Sequence, residues 1–170
     1  IGVMLHQPML YGELTALENL KFFASLAGVN RSDDLCLEKL KQVGLEASRS
    51  TLVRNFSRGM QQRLSLARAL IADPPVLLLD EPFTGLDAAH QDQLQEWLQE
   101  LKLAGKTILV SDHDSHRDAR LATRVAYLFQ GKIVRSFQGN ELDPLHIDEQ
   151  VRRIESGMPL TANDSPEENP

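Results

Sequence analysis

The chain has 170 residues and a net charge of −6 at pH 7, with 42% hydrophobic and 25% charged residues. The negative charge excludes a nucleic-acid-binding protein that relies on bulk positive charge, so we expect no nucleic-acid partner. The single cysteine, Cys36, excludes an internal disulfide framework and fits a reducing compartment. The length predicts one domain with a sizeable buried core.

The chain opens inside a predicted strand, residues 1–5, and its first residue is Ile1. Because a native start rarely falls within a strand, we expect the chain to be truncated. The first predicted helix covers residues 15–27. Thr15 and Glu18 have the spacing of a capping box, and Gly28 ends the helical pattern.

Apolar spacing and helix-ending residues define the rest of the chain. The predicted helices run from Ser32 or Asp33 to Gly44 and over 57–72, 87–104, 114–122 and, as a weakly packed polar helix, 143–156. The predicted strands cover 76–79, 107–111, 124–129 and 132–137. The tail, 157–170, is rich in Pro, Asp, Glu, Asn and Ser, which predicts disorder.

Unbroken apolar strands that alternate with helices predict an α/β fold. Such strands form a parallel sheet that helices cover on both faces. The stretch 15–55 contains only predicted helices, and we interpret it as a helical insert. Ligands of open α/β sheets bind at the carboxyl ends of the strands, so functional residues are expected there.

Two adjacent carboxylates, Asp80 and Glu81, follow the buried strand 76–79 directly. In phosphoryl transfer an aspartate at this place holds Mg²⁺, and the next carboxylate orients and deprotonates the attacking water. The alternative is that the two acids only cap the following turn. The flanking motifs favour the chemical role.

Ser57, Arg58 and Gly59 open the next predicted helix upstream of these acids. Exposed backbone N–H groups and a Ser hydroxyl at a helix start form an anion site. Taken alone, N-capping by Ser57 is the simpler interpretation. The sequence therefore allows either a cap or a phosphate contact at this position.

Five elements in this order resemble the ATPase domain of ATP-binding cassette (ABC) proteins over about residues 1–138. They are Gln7, the run from Asn55 to Arg63, the strand ending in Asp80-Glu81, Gly85-Leu86-Asp87, and His113. The resemblance implies a partial P-loop NTPase-type sheet, with 139–156 as a C-terminal helical extension. The chain contains no phosphate-binding glycine loop with its lysine, so the resemblance covers roughly the last two thirds of such a domain.

The resemblance implies that these residues bind and hydrolyse ATP with Mg²⁺. Glu81 and His113 are the implied catalytic residues, and Gln7 and Asp80 are the implied Mg²⁺ ligands. The implied nucleotide-binding residues are Gln7, Ser57, Arg58, Gly59, Met60, Asp80 and Asp87. The other histidines lack a matching context and receive no role: His6, His90, His116 and His146.

The resemblance also implies partners. In this family the signature at Ser57 contacts nucleotide held by a second ATPase subunit, which implies a head-to-tail dimer. The loop ending in Asp87 bridges the two sites, and the loop at Gln7 couples to a transmembrane permease subunit. The implied location is peripheral, at the cytoplasmic face of the membrane.

The signature departs from the family pattern LSGGQ at two positions. Ser57 and Gly59 match it, whereas Arg58 replaces the first glycine and Met60 replaces the glutamine. These departures bear on the fine geometry and the rate of hydrolysis.

A second phosphate-loop candidate, Gly105-Lys106-Thr107, fails on spacing and context. Glu100 stands where the earlier glycine is needed, and the predicted order is helix then strand. Gly105 is better explained as the end of a helix.

Two classes of ABC protein fit these motifs: a membrane-transport ATPase, and a soluble ATPase of translation or repair. The signature variant is similar to that of exporters with separate membrane subunits. Residues 5–11 and 14–20 are similar to the haem-exporter ATPase of cytochrome c maturation. A third interpretation is a non-catalytic interaction fragment, which the missing phosphate loop favours.

Overall fold

The computed structural model describes residues 1–29 and 32–158. Its contacts divide the chain into two compact units, Ile1–Asp112 and His113–Pro170. The first unit carries most of the predicted site residues, and His113 begins the second unit.

The first unit is built on a parallel sheet of three strands. The strands are β1 (Gly2–Met4), β2 (Val76–Asp80) and β3 (Thr107–Ser111), in the order β1-β2-β3. Asp80 pairs in register with Ser111, so the carboxyl ends of β2 and β3 lie side by side. The predicted parallel α/β sheet is confirmed.

Helices α3 (Arg58–Ala69) and α4 (Ala88–Leu103) pack on β1 and β3 respectively. A Cβ atom added to Gly2 would lie 2.3 Å from the Ala69 carbonyl oxygen, so only glycine allows α3 to approach β1 this closely. The strand residues on the face of the sheet that contacts α3 are buried: Met4, Leu77 and Leu79 are 1%, 0% and 2% exposed.

The opposite face of the sheet presents an apolar row. Val3, Leu78 and Leu109 are register neighbours on the three strands, and they are 38%, 36% and 67% exposed. The helix cover that the sequence predicted for this second face is not found among residues 1–29 and 32–112. Parallel sheets are normally buried on both faces.

The helical insert packs against α3. Helix α1 (Ala16–Leu26) begins at Thr15, whose Oγ1 accepts from the Glu18 N–H at 3.2 Å while Glu18 Oε2 accepts from the Thr15 N–H at 2.8 Å. The predicted capping box is therefore confirmed. Helix α2 (Asp33–Gln42) begins at Ser32 and carries the fully buried Cys36, and burial raises the pKa of this thiol.

Beyond Gly44, where the second predicted helix ends, the insert contains two short helical turns that were not predicted. Residues Glu46–Ser48 and Val53–Asn55 form 3-10 turns, and Thr15 makes an isolated β-bridge with Leu52. The insert and α3 share one apolar core. Its fully buried members include Leu20, Ala24, Cys36, Leu40 and Leu64.

The second unit combines a hairpin with two helices. Its elements are α5 (Ser115–Leu121), the antiparallel strands β4 (Arg124–Phe129) and β5 (Lys132–Gln138), a 3-10 turn (Gly139–Glu141) and α6 (Pro144–Glu155). The prediction that 143–156 is weakly packed was wrong. Ile147 and Gln150 on α6 are 3% and 4% exposed, and Ser115 on α5 hydrogen-bonds Asp148. Helix α6 therefore packs against α5 through a few residues, while most of its residues stay half-buried or exposed.

Residues 159–170, which hold most of the predicted tail, lie outside the described residues. Across 1–29 and 32–158, no helix combines the length and apolar character needed to cross a membrane.

Candidate active site

The carboxylate of Asp80 lies at the carboxyl end of β2, between the ends of the two neighbouring strands. Its Oδ1 accepts from Ser111 Oγ at 2.6 Å, and its Oδ2 accepts from the His6 backbone N–H at 3.3 Å. The Ser111 hydrogen bond, followed by that of His6, lowers the pKa of Asp80 below its ordinary value. Asp80 is therefore ionised at neutral pH.

Glu81 has an unusual backbone conformation for a residue with a side chain. Its φ is +48°, which costs of the order of 1–3 kcal/mol unless neighbours hold it. Its N–H donates to the carbonyl oxygen and Oγ of Ser111, at 3.1 and 3.0 Å. Its carbonyl oxygen accepts from Gln62 Nε2 and the Thr84 N–H, both at 3.1 Å. Contacts from β3, α3 and the following turn thus fix the direction in which Glu81 leaves the strand.

The Glu81 carboxylate faces two further side chains. Its Oε2 accepts from Thr84 Oγ1 at 3.2 Å and lies 3.4 Å from Nδ1 of His6. The sequence assigned His6 no role, yet the structure brings it to both acids. The signal that could have found it is strand pairing, since His6 comes just after β1, the neighbour of β2.

Ser111 is a second site residue that the motifs did not single out. It touches both acids, because its side chain and backbone bond to Asp80 and Glu81. Its position at the end of β3, in register with Asp80, is the observation that identifies it. Sequence spacing alone gives no reason to choose it.

Gln7 lies exposed in the loop that follows β1, next to His6. No cluster of three or more His, Cys, Asp or Glu able to hold a metal occurs among residues 1–29 and 32–158. Mg²⁺ commonly takes one or two protein carboxylates together with substrate phosphates and water. An ionised Asp80 at an exposed strand end fits that chemistry, and the part of Gln7 in it stays a prediction.

Helix α3 begins at Ser57, whose Oγ accepts from the Met60 N–H at 3.2 Å. The capping alternative raised by the sequence is confirmed. Ser57 and Arg58 are exposed, whereas Gly59 and Met60 are half-buried. Contact of these four residues with a nucleotide stays a prediction.

The start of α3 packs on the loop that precedes α4. A Cβ atom on Gly59 would lie 3.1 Å from the Gly85 carbonyl oxygen. Gly85 has φ +80°, and a Cβ atom there would lie 3.2 Å from Cγ and Cδ of Arg58. The glycines at these two positions therefore let the signature and the loop ending in Asp87 touch.

Asp87 caps α4 and contacts a histidine. Its Oδ1 accepts from the His90 N–H at 3.0 Å, and His90 Nδ1 lies 2.8 Å from both carboxylate oxygens. The hydrogen bond from the His90 backbone, followed by that of its ring, lowers the pKa of Asp87. The capping role is confirmed, and bridging between two nucleotide sites stays a prediction.

Lys106 has a structural explanation that agrees with its rejection as a phosphate-loop lysine. Its Nζ lies 2.7 Å from Asp73 Oδ1 and donates to the Pro74 carbonyl oxygen at 3.0 Å. Gly105 has φ +86° just after α4. Gly105 thus follows the end of α4, and Lys106 links this position to the loop before β2.

His113 is the first residue of the second unit. Its predicted contact with the γ-phosphate stays a prediction.

Comparisons with known proteins bear on this geometry. Residues 1–84 match the model of the ABC transporter family. A fluoroquinolones export ATP-binding protein of Mycobacterium tuberculosis is 41% identical over 152 residues, covering 89% of this chain and 50% of that protein. The lantibiotic transport ATP-binding protein SrtF of Streptococcus pyogenes is 37% identical over 143 residues, covering 83% of this chain and 62% of its own length.

Solved structures agree. A dimeric ATP-binding cassette in a post-hydrolysis state, bound to ADP and Pi, matches with a TM-score of 0.72 and 32% identity, covering 81% of this chain and 62% of that one. These matches support an ABC transporter ATP-binding domain, and the chain is similar to ABC ATPases. The chain spans from half to about three fifths of the length of the relatives named here.

Proposed function

We propose that this chain is part of the ATP-hydrolysing subunit of an ABC exporter, which powers translocation through a separate membrane subunit. The observation that carries the proposal is the arrangement at the end of β2. Two acids stand together there, and hydrogen bonds from Ser111 on β3 and Gln62 on α3 hold the turn that presents them. The exporter names of the relatives support the transport role.

In this proposal Glu81 accepts a proton from the water that attacks the γ-phosphate of ATP. Its backbone has φ +48°, and its Oε2 accepts a hydrogen bond from Thr84 Oγ1. Asp80 and Gln7 would hold Mg²⁺, which supplies charge neutralisation of the phosphates. His113 would contact the γ-phosphate from the end of its loop.

We assign the start of α3 to the nucleotide of a second ATPase subunit. Ser57, Arg58, Gly59 and Met60 present a helix N-terminus, which favours anions. Asp87 lies on the loop packed against it and would bridge the two sites. One structural relative is a dimeric cassette, which supports a second subunit, and the head-to-tail arrangement is part of the proposal.

The surface proposed for the membrane subunit combines the loop 8–14 with α1. Tyr11 packs edge-on against Phe22 with ring centroids 4.9 Å apart, and these residues are 50% and 37% exposed. Fully buried Asn19 fixes the loop, because its Oδ1 accepts from the Tyr11 N–H at 2.9 Å and its Nδ2 donates to the Tyr11 carbonyl at 3.0 Å. Exposed aromatic groups on a rigid support are typical of protein interfaces. A peripheral place on the cytoplasmic face of the membrane follows from this assignment.

The transported substrate is the finest level of the proposal. The similarity of residues 5–11 and 14–20 to the haem-exporter ATPase of cytochrome c maturation favours haem. The relatives named above export fluoroquinolones and transport lantibiotics, which favours a drug-like or peptide cargo. Stimulation of ATPase activity in vesicles that contain the membrane subunit, by haem or by such compounds, separates the two.

The central experiment replaces the proposed base in the full-length protein. Glu81→Gln keeps the shape of the side chain but cannot accept the proton of the water, so turnover should fall by about 10²–10⁴-fold while ATP still binds. Glu96→Gln, at an exposed position of α4, is the matched control and should be normal. Phosphate release by Glu81→Gln within about threefold of wild type would overturn the assignment.

Contact with the membrane subunit is tested by crosslinking. Single cysteines at positions 8–14, in a Cys36→Ser background, should capture a membrane protein in membranes that express the full operon. A cysteine at Glu96 serves as the control position. If no position in the loop captures a membrane protein while ATPase activity is intact, a soluble ATPase replaces the exporter.

A further inference from the structure

His6 connects the end of β1 to both acids of the site. Its backbone N–H donates to Asp80 Oδ2 at 3.3 Å, and its ring Nδ1 lies 3.4 Å from Glu81 Oε2. The backbone of His6 thus hydrogen-bonds Asp80, whereas its ring faces Glu81. The backbone hydrogen bond fixes the position of the His6 backbone. The position of the ring beside Glu81 therefore depends on the pairing of β1 with β2.

The backbone conformation of Glu81 is fixed by residues other than His6. Its backbone is fixed by Ser111 and Gln62, which leaves the side-chain torsions as its remaining freedom. Thr84 Oγ1 and the His6 ring approach the same carboxylate oxygen, Oε2, from two different segments. Two contacts at one oxygen select the orientation of the whole carboxylate.

We propose that His6 is a positioning residue for Glu81, holding Oε2 through the N–H of Nδ1 so that the carboxylate faces the attacking water. The inference rests on the proposed function, because it assigns His6 a part in the same hydrolysis. An ionised carboxylate only accepts hydrogen bonds, so the contact needs a proton on Nδ1, and an uncharged donor is sufficient for it. An asparagine, whose Nδ2 lies close to the place of the histidine Nδ1, should therefore substitute.

The experiment compares His6→Ala and His6→Asn in the full-length protein. A misdirected base costs about tenfold or more in rate, so His6→Ala should lower kcat by about that factor. KM for ATP and the equilibrium affinity for ATP should stay within about twofold, because His6 acts on the base and not on the nucleotide. His6→Asn should recover most of the lost kcat.

His116→Ala is the matched control, because the side chains of His116 and His6 are 53% and 55% exposed. It should leave kcat unchanged. An unchanged kcat in His6→Ala, a loss confined to ATP affinity, or no recovery in His6→Asn would overturn the proposal.

A double-mutant cycle separates this inference from the proposed function. If His6 acts through Glu81, adding His6→Ala to Glu81→Gln should change the residual single-turnover rate by less than about twofold. A further full tenfold loss would show that His6 acts independently of Glu81 and would overturn the proposal. Normal turnover in Glu81→Gln alone would instead remove the base assignment, and with it the proposed function.

Discussion

The two regions assigned to ATP chemistry are built in opposite ways. At the strand ends, Asp80 and Glu81 are held by groups of the same chain, from Ser111 on one side and His6 on the other. At the start of α3, Ser57 makes a local cap with Met60, and Ser57 and Arg58 lie exposed. The acids at the strand ends are bound by other residues of the same chain, whereas the start of α3 presents an exposed helix N-terminus.

This difference indicates how each region can be tested. The acids at the strand ends depend on hydrogen bonds within the chain. Single conservative substitutions that remove one of these bonds should therefore lower the ATPase activity. An outward helix start acts on another molecule, so its effect should depend on which subunits are combined.

The largest effect is expected from Ser57→Arg in the full-length protein, because it fills the anion site. A homodimer of this variant should trap no ATP. A mixed dimer, in which the second subunit has a disabled phosphate loop and an intact Ser57, should keep one trapping site. Loss of the helix cap, worth about 1 kcal/mol, is present in both dimers and cannot explain a difference.

Trapping of labelled nucleotide in purified dimers measures this effect. Ser50→Arg, at an exposed position of the same unit, is the control and should trap normally. Equal trapping by the Ser57→Arg homodimer and the wild type would show that the start of α3 does not act on nucleotide held by the second subunit.

A smaller effect is expected from Ser111→Ala, which removes the hydroxyl between the two acids. We expect kcat to fall about tenfold or more, because both acids lose a contact that sets their position. The pKa of Asp80 should rise, since the Ser111 hydrogen bond is the main cause of its lowering. Carboxyl-detected NMR titration follows this pKa, and steady-state phosphate release follows kcat.

The lowered pKa of Asp80 also sets the sign of a stability effect. A depressed folded-state pKa stabilises the fold above the unfolded-state pKa, and this contribution is lost as the pH falls through the folded-state pKa. The stability gap between wild type and Ser111→Ala should therefore narrow on acidification. A gap that widens at low pH would contradict this account of Asp80.

The smallest effect is expected from Gln62→Leu, which breaks the link between the two regions. Gln62 is 5% exposed, and its Nε2 donates to the Glu81 carbonyl. The carbonyl keeps its hydrogen bond from the Thr84 N–H, so loss of the Gln62 hydrogen bond should cost about 0.5–1.5 kcal/mol in the free energy of unfolding. Urea unfolding measures the loss, with Gln93→Leu at an exposed position of α4 as control. Equal stability in the two variants would show that α3 and the turn after β2 are not coupled through this bond.

Local signals in the sequence predicted the helices and their starts well. Thr15 with Glu18, Ser57 and Asp87 each cap a helix where the sequence placed one, because a cap depends on residues three positions apart. The apolar strands are similarly local. For this reason the α/β parallel sheet could be predicted from the chain alone.

The contacts that shape the site could not be predicted in the same way. His6, Ser111 and Gln62 reach Glu81 across separations of 75, 30 and 19 residues along the chain. Their roles depend on strand register and helix packing, which motif spacing does not encode. The packing of α6 against α5 was missed for a related reason, because α5 is a separate element of the chain.

The burial of Cys36 gives this protein a built-in reporter. The thiol is fully buried on α2, and its pKa is raised by burial, so a thiol reagent can reach it only when the insert opens. Its labelling rate, divided by that of a free thiol, measures the population of opened molecules and hence the local free energy of opening. Because Cys36 is the single cysteine of the chain, that population can be followed in the unmodified sequence while nucleotide or membranes are added.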